Sequence, residues 1–109
     1  MIYETELTDN FLKEVKKLLK KYPSLKNELI KLRELLSENP TSGINLGNDI
    51  YKIRLAISSK GKGRSGGARI MTFVRIQEST VYLFSIYNKG DKDSLSDNEI
   101  NDLLQKHFG

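Results

Sequence analysis

Hydrophobic residues recur at helical spacing as far as Asn39-Pro40 and at period two from Tyr51 onward, and this change of period divides the chain between helix and sheet. Thr8, Asp9 or Asn10 can cap a first helix, since each offers a side-chain oxygen to the orphan amides of a first turn. Phe11, Leu12, Val15, Leu18, Leu19 and Tyr22 then form one apolar stripe, with Lys16, Lys17, Lys20 and Lys21 on the remaining surface. Pro23 ends that helix and Ser24 can cap the next. There Leu25, Leu29, Leu32, Leu35 and Leu36 keep the spacing until Asn39-Pro40 stops it. So short a link predicts a helical hairpin.

Thr41 to Asn48, with Gly43 and Gly47, reads as a turn-rich connector. Beyond it Tyr51, Ile53, Leu55 and Ile57 alternate with Lys52, Arg54, Ala56 and Ser58, which predicts a strand over Tyr51–Ser58 with one apolar face. Ala68–Gln77 and Thr80–Asn88 read as two further strands, linked too tightly for a crossover. The last of them is apolar on both faces, as a central or helix-covered strand is. Ser96-Asp97-Asn98-Glu99 matches a capping box, and Ile100, Leu103, Leu104 and Phe108 give the closing helix its apolar face. The expectation is an α+β fold: an N-terminal helical hairpin, an antiparallel sheet of three to four strands and a C-terminal helix. A length of 109 residues supports a single domain over 1–109.

Charge is distributed as unevenly as hydrophobicity. Lys52, Arg54, Lys60, Lys62, Arg64, Arg69 and Arg75 lie between Tyr51 and Gln77 with no carboxylate among them; Asp49 precedes the run and Glu78 follows it. Unopposed cations around the glycine-rich stretch from Lys60 to Gly67 are suited to gripping a polyanion through its phosphates. The plainer possibility is a solvated hairpin loop. An ATP cradle is excluded, because Gly61 and Gly66 have P-loop spacing but Gly67-Ala68 stands where Lys-Ser/Thr is required. Asp91, Asp93, Asp97, Glu99 and Asp102 do not make a calcium loop, since Leu95 and Ser96 fall where an oxygen ligand and a glycine are needed. No metal or other cofactor is expected. The chain has no cysteine, its N-terminus has no apolar signal segment and no apolar run has membrane-spanning length, which favours the cytoplasm.

His107 is the single histidine and suits the last turn of a helix, so paired-histidine acid–base chemistry is ruled out. RNA cleavage remains possible without it. The ribose 2′-OH can attack the adjacent phosphorus while arginines bind the phosphoryl oxygens, a lysine acts as base, and a tyrosine or cation returns a proton. DNA lacks that hydroxyl.

The run Tyr51-Lys52-Ile53-Arg54-Leu55, then Ser59-Lys60-Gly61-Lys62-Gly63-Arg64-Ser65-Gly66-Gly67-Ala68-Arg69-Ile70, resembles the HigB branch of the RelE/ParE toxin superfamily. Ile86-Tyr87-Asn88-Lys89, ahead of Asp93-Ser94-Leu95-Ser96, continues the likeness. The resemblance implies a RelE-like fold and a toxin of a type II toxin–antitoxin pair that cleaves mRNA on the ribosome. Its implied partners are a cognate antitoxin, the ribosome and mRNA, with no membrane and no small-molecule cofactor. Lys52 and Arg54 match the family's paired basic residues on the first strand. Arg69 matches the arginine that opens the second and would stabilise the cleaved phosphate, while Lys89 lies near the basic position after the third. Lys60, Lys62 and Arg64 would grip RNA or ribosome. Relatives often carry a tyrosine near the start of the last helix where this chain has Leu95, which leaves Tyr87 as the nearest proton donor or as a residue that packs at the strand end. Two alternatives belong to other classes: a ParE-like toxin that binds gyrase, and a non-enzymatic RNA- or ribosome-binding module.

Overall fold

The computed structural model describes residues 2–57, 67–92 and 94–109. Along the chain run β1 (Glu4–Leu7), α1 (Asp9–Lys21), α2 (Leu25–Glu38), β2 (Ile44–Gly47), β3 (Ile50–Leu55), β4 (Ala68–Arg75), β5 (Thr80–Asn88) and α3 (Asp97–Phe108). Of the three possible caps for α1, Thr8 takes the position: its backbone is extended and its hydroxyl accepts from the Phe11 amide at 3.2 Å. Ser24 does not cap α2. Its backbone is already helical, and the amides of Leu25 and Lys26 turn back to the carbonyls of Tyr22 and Pro23 instead. The Ser96–Glu99 capping box at α3 forms in both directions.

β3, β4 and β5 pair antiparallel, as the alternation and the tight link predict. The complete sheet is larger and mixed, in the order β1-β5-β4-β3-β2. The expected three or four antiparallel strands therefore become five, with β1 added parallel to β5 and β2 added antiparallel to β3. β2 arises inside the segment read as a connector. Asn48 and Asp49 adopt left-handed angles (φ 53° and 64°) and close a two-residue hairpin turn, a conformation that short polar side chains tolerate. β3 starts one residue earlier than expected and ends at Leu55, while a 3-10 turn at Ile76–Glu78 cuts β4 short at Arg75.

One sheet face carries Ile53, Ile70, Val74, Val81 and Ile86 beneath Phe11 and Val15 of α1 and Leu25, Leu32 and Leu36 of α2. Leu36 is fully buried, so truncating it to alanine costs about 2–5 kcal/mol. The other face gathers Ile50, Met71, Phe84 and Tyr87 under Ile100 of α3. Phe108 pins the end of α3, edge-on to Phe73 at 5.4 Å and to Tyr82 at 4.7 Å, with the Arg75 guanidinium 5.2 Å from its ring. These contacts make Arg75, which also pairs with Glu78 at 3.3 Å, an anchor for α3.

β1 covers only the Thr80–Leu83 half of the β5 edge. Side chains of α1 take over beyond it: Asn10 donates to the Phe84 carbonyl at 2.9 Å, and Glu14 accepts from the Ile86 amide at 3.2 Å and the Ser85 hydroxyl at 2.9 Å. An edge that would otherwise present open backbone groups is thereby satisfied.

Candidate active site

Strand register assembles the candidate residues. Arg54 lies opposite Arg69 across β3 and β4, and Arg69 lies opposite Tyr87 across β4 and β5. Residues directly opposite share a face, so the three side chains form one row across the sheet, about 10 Å from end to end by strand spacing. Lys52 stands two residues from Arg54 on the same face, opposite Met71. Met71 and Tyr87 both belong to the cluster under α3, so the row begins where the cover of α3 gives out.

The members differ in exposure. Arg54 is exposed, and Lys52 and Lys89 are half-buried. Arg69, at 4% exposure, and Tyr87, at 7%, are buried. The Arg69 guanidinium donates to the Ala68 carbonyl at 3.3 Å. Tyr87 packs with Ile50, Met71, Phe84 and Ile100, and its register position is beside Arg69. Three cationic positions thus share one sheet face, and neither Lys52 nor Arg54 forms an ion pair with a described residue. Placing like charges together costs stability, which is common where charge serves a ligand.

Lys89 follows β5, and its amide donates to the Gly67 carbonyl at 3.0 Å, extending the β4–β5 ladder by one step. Asn88 shapes the same turn: its side-chain oxygen accepts from the Gly90 amide at 3.1 Å and its amide group donates to the Tyr22 hydroxyl at 3.4 Å. Gly67 is constrained from the other side, because a Cβ there would overlap the Leu55 carbonyl oxygen. The glycine lets β4 begin directly against the end of β3. Gly67 and Asn88 were not among the sequence candidates. The Gly66-Gly67 doublet carried a signal for one of them, but only the Leu55 contact tells which role it has. Lys60, Lys62 and Arg64 lie outside the described residues.

A groove of about 750 Å³ runs along the edge of β3 beside α2 and is lined in part by Lys52, Arg54 and Lys31. It does not include Arg69, Tyr87 or Lys89. Among the described residues no group of three or more histidine, cysteine, aspartate or glutamate side chains is placed to hold a metal ion. No described helix is long and apolar enough to cross a membrane. Glu99 and Tyr82, which lie outside the row, are perturbed. Glu99 is held below the usual carboxylate value, first by the Ser96 backbone amide and then by Lys92. Tyr82 is raised, first by its hydrogen bond to Glu78 and then by burial.

The arrangement is that of a small α+β domain with a cationic row laid across its sheet. The family model described as "RelE toxin of RelE / RelB toxin-antitoxin system" matches residues 12–107, and the chain belongs to that family. Two solved structures share the fold. A free-state E. coli toxin RelE carrying two arginine-to-alanine substitutions aligns with a TM-score of 0.65 at 21% identity, covering 97% of this chain and 98% of that one. The isolated E. coli RelE toxin aligns with a TM-score of 0.56 at 22% identity, covering 95% and 98%. At such identities the likeness is one of fold.

Proposed function

We propose that this toxin is a ribosome-dependent mRNA endonuclease of the HigB-like branch, acting in the cytoplasm as a single domain without a metal ion. The observation that carries this reading is the row Arg54–Arg69–Tyr87 with Lys52 beside it, which sets phosphate-binding cations next to a phenol on one rigid sheet. The match to the RelE family supports cleavage over gyrase binding.

In the proposed reaction a basic side chain of the site, Lys52 or Lys89, takes the proton of a ribose 2′-OH. The 2′-oxygen forms a bond to the adjacent phosphorus, the bond to the 5′-oxygen breaks, and Tyr87 or a neighbouring cation gives that oxygen a proton. The products are a 2′,3′-cyclic phosphate and a 5′-hydroxyl. Arg69 and Arg54 bind the phosphoryl oxygens as negative charge grows on them, where forked donors act most strongly. Because Arg69 and Tyr87 are buried, RNA meets the accessible Lys52 and Arg54 first and must open a path to the other two. Lys60, Lys62 and Arg64 add phosphate contacts that raise affinity for RNA or ribosome. A cognate antitoxin with an acidic segment silences the protein by covering this face.

The test is direct. Purified protein added to a translating extract is expected to shorten the mRNA at discrete sites and to leave free mRNA and gyrase supercoiling untouched. Intact mRNA with inhibited supercoiling would assign the chain to the gyrase-binding class.

A further inference from the structure

Between β4 and β5 the register changes: Thr72 pairs with Leu83, but Met71 pairs with Ser85, so Phe84 is one residue extra. This β-bulge decides which face Tyr87 occupies, because side chains alternate with a period of two. Continued without the bulge, the Thr72–Leu83 register would set Arg69 opposite Ile86 and Ala68 opposite Tyr87. The phenol would then point to the face covered by α1 and α2, away from Arg54 and Arg69. The candidate row exists only because β5 carries one more residue than β4 at this point.

What holds the extra residue lies on α1. The carbonyls of Leu83 and Phe84 both face that helix, accepting from the Thr8 amide at 3.1 Å and from Asn10 at 2.9 Å. In a regular strand consecutive carbonyls face opposite edges, so this pair marks the bulge itself. Glu14 bonds the strand immediately beyond. Its Oε1 accepts from the Ser85 hydroxyl at 2.9 Å, the Ile86 amide at 3.2 Å and the Asn10 amide group at 2.8 Å. One oxygen atom therefore ties the two residues after the bulge to the side chain that binds the bulge carbonyl.

We propose that Glu14 is a positioning residue, which by holding the Phe84 bulge fixes the register that sets Tyr87 beside Arg69. Among the described residues it bonds no candidate site residue, and it acts through β5. The catalytic consequence rests on the cleavage reading above, while the structural consequence does not.

Two conservative variants separate reach from charge. Glu14→Gln keeps the acceptor oxygen at the same reach and loses the charge. Glu14→Asp keeps the charge and withdraws the oxygen by one methylene. In the aspartate variant the Ile86 amide is expected to exchange about tenfold faster or more, the loss of one hydrogen bond, while the Val74 amide in β4 stays protected. The cross-strand nuclear Overhauser contact between Tyr87 and Arg69 is expected to weaken. Turnover of ribosome-bound mRNA is expected to fall about tenfold with ribosome affinity unchanged, since mispositioning acts on the chemical step. The glutamine variant is expected to match the parent in all four readouts. An aspartate variant with Ile86 protected and the Tyr87 contact intact would overturn the proposal, as would a glutamine variant that behaves like aspartate. If the parent cut no mRNA, the cleavage reading would fall, and the exchange and Overhauser readouts would still decide whether Glu14 positions Tyr87.

Discussion

Replacing Arg69 with methionine separates function from stability at the centre of the row. Methionine keeps an unbranched apolar stem in a site only 4% exposed and removes the guanidinium. The bond to the Ala68 carbonyl is lost together with the guanidinium's other interactions, and each hydrogen bond is a net contribution of about 0.5–1.5 kcal/mol. Repulsion from Arg54, which lies opposite across the strand pair and is exposed, is relieved by about 1 kcal/mol or less and offsets part of that loss. The unfolding free energy from urea titration is expected to fall by less than about 3 kcal/mol. Cleavage of ribosome-bound mRNA should nevertheless fall about 10²–10³-fold, the usual cost of losing one donor to developing charge. A variant that cuts at the parent rate would remove Arg69 from the mechanism. Loss of more than about 3 kcal/mol would make it a structural residue instead.

Neutralising Lys60, Lys62 and Arg64 together is expected to weaken ribosome or RNA binding and flatten its salt dependence while leaving single-turnover cleavage at saturation near parental; filter binding across salt concentrations measures this. Gly67→Ala should destabilise by about 1–3 kcal/mol in urea titration, because the added methyl overlaps the Leu55 carbonyl and that part of the backbone must shift. Acid should loosen the start of α3. The Glu99 pKa is lowered by folding, so its contribution is fully present above the unfolded value and is lost as pH falls through the lower folded value. Amide exchange at the first turn of α3 is therefore expected to rise on acidification through and below the usual carboxylate range, and to respond less in Glu99→Gln.

Most of the central fold was legible because its periods are strong. The stripe from Phe11 to Tyr22, the leucines of α2, the alternation from Tyr51 and the Ser96 capping box each correspond to the element they predict. The two added strands carry no such signal. β1 and β2 are four residues each, lie at the sheet edges and are mostly exposed, so no hydrophobic alternation is needed to hold them. The hairpin before β3 turns on Asn48-Asp49, where the customary glycine of such turns is absent. For the site, residue types and strand assignment were legible, and Arg54, Arg69 and Tyr87 do share a row. The burial of Tyr87 was not, since it depends on Ile100 of α3 packing over that end of the strand. Nor was the bulge at Phe84, whose carbonyl accepts from Asn10, 74 positions earlier in the chain.

The central claim is that the row directs attack by the ribose 2′-OH, and one modified message tests it most directly. A ribosome-bound mRNA is prepared with a single 2′-deoxynucleotide on the 5′ side of the mapped scissile phosphate, alongside its all-RNA counterpart. The all-RNA message is expected to yield a 2′,3′-cyclic phosphate and a 5′-hydroxyl, and the deoxy message to remain intact at that position. Cutting of the deoxy message at the same site and rate would contradict the mechanism and require a nucleophile other than the substrate's own hydroxyl.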